Sequence, residues 1–146
     1  MTELNDIVEA FEILGDWESR YQYLIELGEN LPNMPEANRT GDRRVKACMS
    51  KVWIRAYPDP VGSDRVCFEG ECDTAVIKGV LALLIKLASG KTVQEIRQLD
   101  LDEVFEHLNL GEHLSPNRHV GVYAIVDLMK QQAEALFAQQ SRLASA

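Results

Sequence analysis

The sequence predicts an α+β fold: a small curved antiparallel sheet covered by helices, in one domain. Three observations predict it. Apolar residues recur at helical spacing near both ends of the chain, at Leu4, Ile7, Val8 and Phe11 and again at Val122, Ile125, Val126 and Met129. Between them Val52, Ile54 and Ala56 alternate with Trp53, Arg55 and Tyr57, the period of a strand, and Val66 and Phe68 repeat that alternation after a turn-rich stretch. The run that follows from Ala75 is apolar on almost every face, as a central buried helix must be.

Taken in order, the first helix carries Leu4, Ile7, Val8, Phe11 and Leu14, and Gly15-Asp16 breaks it. A second helix presents Trp17, Tyr21, Leu24 and Leu27, with Gly28 as a possible C-terminal cap and Pro32 beyond it. Residues 30–42, with Pro32 and Pro35, read as a loop. The two strands form an antiparallel hairpin across a long connection containing Pro58, Pro60 and Gly62. Two strands are not stable alone, so a third strand or covering helices must close the sheet. Asp73 or Thr74 is placed to cap the buried helix, which Gly90 ends. Thr92 and Glu95 have the spacing of a capping box, and Asp100 opens another helix bearing Phe105 and Leu108. Ser115-Pro116 reads as a cap followed by a proline in the first turn of a long last helix. The domain is expected over residues 1–140, with 141–146 as a frayed tail.

The chain has 146 residues, 46% of them hydrophobic, enough for one core without staples. A formal net charge of −8 argues against non-specific nucleic-acid binding. The charge is uneven, because residues 35–57 hold six cations against two anions. Such a basic patch on an acidic body suits a protein partner or an anion. Three cysteines without a secretory leader fit a reducing cytosol better than a disulfide framework. The longest apolar tract is too short to span a bilayer, so the expected location is the cytoplasm.

The three thiols differ in electrostatic company. Cys48 stands between Arg43, Arg44 and Lys46 on one side and Lys51 on the other, and nearby cations favour the nucleophilic thiolate. Cys67 has Arg65 and Glu69 as neighbours, while Cys72 lies among Glu69, Glu71 and Asp73. Cys48, Cys67 and Cys72 with His107, His113 and His119 include enough ligands for a metal, but no Cys-x2-Cys pair specifies one, and no metal site is expected. A thiol enzyme using Cys48 with a histidine, for redox or acyl-transfer chemistry, stays open as the alternative. Arg118 sits in the first turn of the last helix, where its charge opposes the helix dipole.

Several stretches together resemble the SufE-like sulfur acceptors. They are Trp17-Glu18-x-Arg20-Tyr21 through Leu27-Gly28 to Leu31-Pro32, then Arg44-Val45-x-x-Cys48-x-Ser50-x-Val52-Trp53. Further on come Phe68-Glu69-Gly70-x-x-Asp73 with Lys78-Gly79, and His113-Leu114-Ser115-Pro116-x-Arg118-x-x-Gly121. The resemblance implies a SufE/IscU-like fold with Cys48 as the acceptor cysteine, on a loop leading into the sheet. It implies a sulfur carrier, not an enzyme, that takes persulfide sulfur from a cysteine desulfurase, stimulates that desulfurase, and delivers the sulfur to an iron–sulfur scaffold complex. Pyridoxal phosphate then belongs to the desulfurase, and this chain needs no cofactor of its own. By the same resemblance Asp73, Ser50 and Arg118 fall in the neighbourhood of the acceptor cysteine; the basic residues around it, Arg43, Arg44, Lys46 and Lys51, are expected from their charge to be the docking surface. Cys67 and Cys72 are additions to the pattern.

Overall fold

Helix α3, Ala75–Ala88, is the element against which the others pack. Ten of its residues are buried, from Ile77 to Ala88, which a helix tolerates only when neighbours cover it on nearly every side. The computed structural model describes residues 2–47, 50–61 and 64–145. Among these, α1 spans Thr2–Leu14 and α2 spans Trp17–Glu29. Gly15 joins them with φ +80, and Asp16 caps α2 by accepting the Ser19 amide at 2.8 Å.

Gly28 lies within α2, and Asn30 caps that helix, so Gly28 is not the cap the sequence suggests. Its function is close approach. A Cβ at Gly28 would stand 2.9 Å from the Gly79 amide nitrogen, and one at Gly79 would stand 2.1 Å from the Leu24 carbonyl oxygen. The two glycines therefore let α2 and α3 cross backbone to backbone, burying Leu24 completely.

The sheet lies on another side of α3. Strand β1, Val52–Pro58, pairs antiparallel with β2, Arg65–Cys72, in a register from Val52 opposite Cys72 to Pro58 opposite Val66. Val52, Ile54, Val66, Phe68 and Cys72 belong to the core on the inner face. Gly70 on that face allows the close seat of α3, since a Cβ there would meet Leu81 Cδ2 at 3.1 Å and Ile85 Cδ1 at 3.2 Å. The hairpin is closed both by helices and by a third strand, β3, only Lys91–Thr92, which pairs with Arg65 and Val66. Thr92 then serves a second purpose. Its side chain and Glu95 form the anticipated capping box of α4, Val93–Arg97.

So short a sheet leaves backbone groups to satisfy at its rims. On the outer edge of β1, the Val45 amide donates to the Val52 carbonyl at 2.9 Å. Next along that edge, Gln132 donates to the Ile54 carbonyl at 2.8 Å and accepts the Ala56 amide at 3.0 Å. On the far edge of β2, Ser89 Oγ accepts the Phe68 amide at 3.1 Å and the Gly90 amide donates to the Val66 carbonyl at 2.9 Å.

The remaining helices are α5, Leu101–Leu108, α6, Leu110–His113, and α7, Pro116–Ser145. Asp100 caps α5 as expected, accepting the Asp102 amide at 3.0 Å. The turn α6 has too short a pattern to be read in advance; Asn109, in the left-handed region at φ 54, makes the corner into it. Val122, Ile125, Val126, Met129 and Ala133 form the buried stripe of α7.

The stretch read as a loop before β1 is a strap across the outer face of the sheet. It carries two 3-10 turns, Glu36–Asn38 and Gly41–Arg43, and buries Met34 to 1% exposure. Asn38 donates to Glu69 at 3.2 Å and Arg39 pairs with Glu71 at 3.6 Å, which ties the strap to β2.

Candidate functional site

Cys48 and Met49 lie outside the described residues, so the site is built from what brackets them. On the N-terminal side the strap reaches Arg44, which bridges Trp53, and Val45, 2% exposed and bonded to Val52. On the C-terminal side the Lys51 amide donates to Asp73 Oδ1 at 2.9 Å, and the Asp73 amide returns a bond to the Lys51 carbonyl at 3.2 Å. Ser50 Oγ stands 2.7 Å from Thr74 Oγ1. Val45 on one side and Ser50-Lys51 on the other are thus held at one end of the sheet. Asp73 and Ser50 come together there through Thr74 and Lys51.

The basic residues of this segment divide in two. Lys46 and Lys51 are exposed, Lys46 donating to the Gly41 carbonyl at 2.7 Å. Arg43 and Arg44 are half-buried: Arg43 donates to the Asn38 carbonyl at 3.0 Å, and the Arg44 guanidinium lies 5.7 Å from the centre of the Trp53 ring. Arg39 approaches the same ring at 6.0 Å, so Trp53 has two cations on it. Beyond Trp53, Arg55 bonds Glu69 at 2.6 Å and Lys78 bonds Glu71 at 2.9 Å. Burial pushes the Glu71 carboxyl up, but the Lys78 and Cys72 hydrogen bonds and the charges of Lys78 and Arg39 outweigh it and hold Glu71 below its ordinary value.

Those pairs change the expected company of Cys72. Glu69 and Glu71 point to the opposite face of β2 from Cys72, because strand side chains alternate, and both are ion-paired there. Cys72 is 5% exposed, with its Sγ 3.5 Å from the Thr74 amide nitrogen. Cys67 is on the outer face and five residues away, which at strand rise is about 16 Å. A disulfide between Cys67 and Cys72 is therefore geometrically excluded. Burial pushes the Cys67 thiol up and Asp59 adds to it, against a lowering hydrogen bond from Gly90.

Arg118 is exposed in the first turn of α7, its amide 3.4 Å from Ser115 Oγ. Among the described residues no hydrogen bond or ion pair links it to Asp73, Ser50 or the basic segment. The histidines are engaged elsewhere. His113 stacks on Trp17 with centroids 3.7 Å apart while its carbonyl accepts Tyr21 Oη at 2.5 Å; His119 packs on Phe105 at 5.2 Å, and His107 Nδ1 is 2.9 Å from the Glu103 carbonyl. Among the described residues no group of three or more His, Cys, Asp or Glu could hold a metal ion, and no helix is long and apolar enough to cross a membrane. Thr74 and Asn38 are the residues that sequence reasoning missed. Thr74 reads as an ordinary helix cap, and nothing marks Asn38 as facing Glu69.

Fold and site together define a small helix-covered antiparallel sheet whose first strand follows a basic segment held at Val45 and at Ser50-Lys51. A family model described as SufE, Fe-S metabolism associated domain, matches residues 5–133, and the chain belongs to that family. It is 39% identical over 135 residues to an uncharacterized SufE-like protein of Rhizobium meliloti, spanning 92% of this chain and 96% of that one. A SufE-like protein of Rhizobium etli, also uncharacterized, is 37% identical over 136 residues, with 92% and 91% covered. The solution structure of a hypothetical protein from Thermus thermophilus has the same fold, with a TM-score of 0.74 at 19% identity over 93% of this chain and 96% of that one.

Proposed function

We propose that this protein is a sulfur acceptor and carrier in iron–sulfur cluster assembly, with Cys48 as the residue that is loaded. Its partners on this reading are a cysteine desulfurase, which holds the pyridoxal phosphate, and a scaffold complex that receives the sulfur, both in the cytoplasm. Family membership supports the sulfur-transfer role, and the observation that carries the site is the fixing of both flanks of the Cys48 loop at Val45 and at Ser50-Lys51.

The chemistry follows from the residue types. The Cys48 thiolate, favoured by neighbouring cations, attacks the outer sulfur of the donor persulfide. A new S–S bond forms at Cys48, the S–S bond of the donor breaks, and the donor cysteine leaves as a thiolate. The hydrogen on the outer sulfur travels with it, so nothing is oxidised or reduced overall. Removing the persulfide from the donor is what would stimulate the desulfurase. Exposed Lys46 and Lys51, with the half-buried Arg43 and Arg44, suit an acidic surface on the donor.

The test is incubation with a cysteine desulfurase and cysteine, followed by mass spectrometry of the intact chain. A gain of about 32 Da per sulfur is expected on Cys48. Cys48→Ser should abolish it, and Cys67→Ser and Cys72→Ser should not. Sulfur gained at another position, with Cys48 unmodified, overturns the reading.

A further inference from the structure

We propose that Thr74 is a positioning residue for the sulfur-accepting loop, acting through the hydroxyl of Ser50. The inference rests on the acceptor reading above, and concerns how the loop is held for transfer from a protein donor.

Thr74 immediately precedes α3 with extended backbone, φ −115 and ψ 121, where a threonine hydroxyl ordinarily accepts an amide from the first helical turn. Here it makes no such bond. Its Oγ1 lies instead 3.2 Å from Asp73 Oδ1 and 2.7 Å from Ser50 Oγ. The direction of these bonds follows from the groups present. Thr74 Oγ1 donates its one proton to Asp73 Oδ1, so the proton between the two hydroxyls is that of Ser50. The Lys51 amide donates to the same Asp73 oxygen at 2.9 Å. One carboxylate oxygen thus receives the Lys51 amide directly and the Ser50 hydroxyl through Thr74, and along the chain from Ser50 to Thr74 to Asp73 one bond polarises the next. The helix gives up a side-chain cap, and the hydroxyl instead holds Ser50, across from it.

A positioning role separates from a structural one by the kind of reagent used. A small alkylating agent reaches a thiol from many directions, whereas a persulfide on a partner protein arrives along one. Thr74→Val keeps the shape and removes the hydroxyl; Thr74→Ser keeps the hydroxyl. With a cysteine desulfurase and cysteine, Thr74→Val and Ser50→Ala are each expected to slow sulfur gain on Cys48 about tenfold, the scale of a small misplacement. The double variant should be no slower than either, because both remove one bond. Alkylation of Cys48 by iodoacetamide should stay within about twofold and the melting temperature within a few degrees. Thr74→Ser should restore transfer.

Transfer by Thr74→Val at the wild-type rate overturns the proposal. So does an equal slowing in Thr74→Ser, or a slowing matched by lost alkylation and a lowered melting temperature. Amide hydrogen exchange at Lys51 supplies a readout independent of sulfur. It should quicken about tenfold in Thr74→Val and return in Thr74→Ser, as expected for local opening of a released segment. If the wild-type protein gains no sulfur, the acceptor reading fails; if exchange at Lys51 is unchanged in Thr74→Val, the clamp itself fails.

Discussion

Gly79 faces Leu24 so closely that a Cβ on the glycine would stand 2.1 Å from the leucine carbonyl oxygen. The obstacle is backbone, which cannot rotate aside. In helices alanine is favoured over glycine by about 1 kcal/mol, so Gly79→Ala sets propensity against overpacking. At this separation overpacking wins. Gly79→Ala should destabilise the protein by about 3 kcal/mol, Gly28→Ala by less, and Gly41→Ala, with nothing within 4 Å, by close to zero. Urea midpoints for the three variants check the order.

Gln132 should matter more than a half-buried polar residue ordinarily does. Gln132→Leu would leave both the Ile54 carbonyl and the Ala56 amide without partners. A loss of about 2 kcal/mol is expected in chemical unfolding, within the range for orphaned buried groups. Gln131→Leu, one residue earlier and exposed, should change little.

The strap and β2 should loosen in acid. Burial pushes the Glu69 carboxyl up, but hydrogen bonds from Arg55 and Asn38 and the charges of Arg55 and Arg43 prevail; Glu71 behaves alike through Lys78. Both are held below their ordinary 4.5, so the unfolded chain binds protons more readily than the folded one. Their stabilisation is then complete above that ordinary value and is lost as pH falls through the lower folded values. Glu71→Gln should reduce stability at neutral pH and flatten the acid decline between about pH 5 and the folded value. An acid limb as steep as that of the wild type would count against the pairing.

Cys67 should be a slow thiol. Burial and Asp59 both push it up, and alkylation at pH 8 should be slower than that of glutathione. Because burial is the larger cause, Asp59→Asn should quicken the reaction only by about twofold to threefold. Peptide mapping after timed iodoacetamide exposure measures this directly.

Much of this arrangement was legible in the sequence because it is written in local periods. The buried helix showed as an uninterrupted apolar run from Ala75, β1 and β2 as alternation, and the box at Thr92 and Glu95 by its spacing. What stayed hidden depends on contacts between distant residues. Gly28 has the look of a cap, and only the meeting with Gly79 shows otherwise. The strap has no period to detect, since Asn38, Arg39 and Met34 each answer a different part of the sheet. At the site, the diversion of the Thr74 hydroxyl from helix to Ser50 stays hidden, because an N-terminal threonine explains itself without it.

The side chains of Gln132 and Ser89 stand where neighbouring strands would otherwise run, one on each rim of the sheet. At those positions no foreign backbone can be stitched on. Another macromolecule must therefore recognise this surface by contour and charge, and copies of the chain crowded together are hindered from knitting into fibres along it.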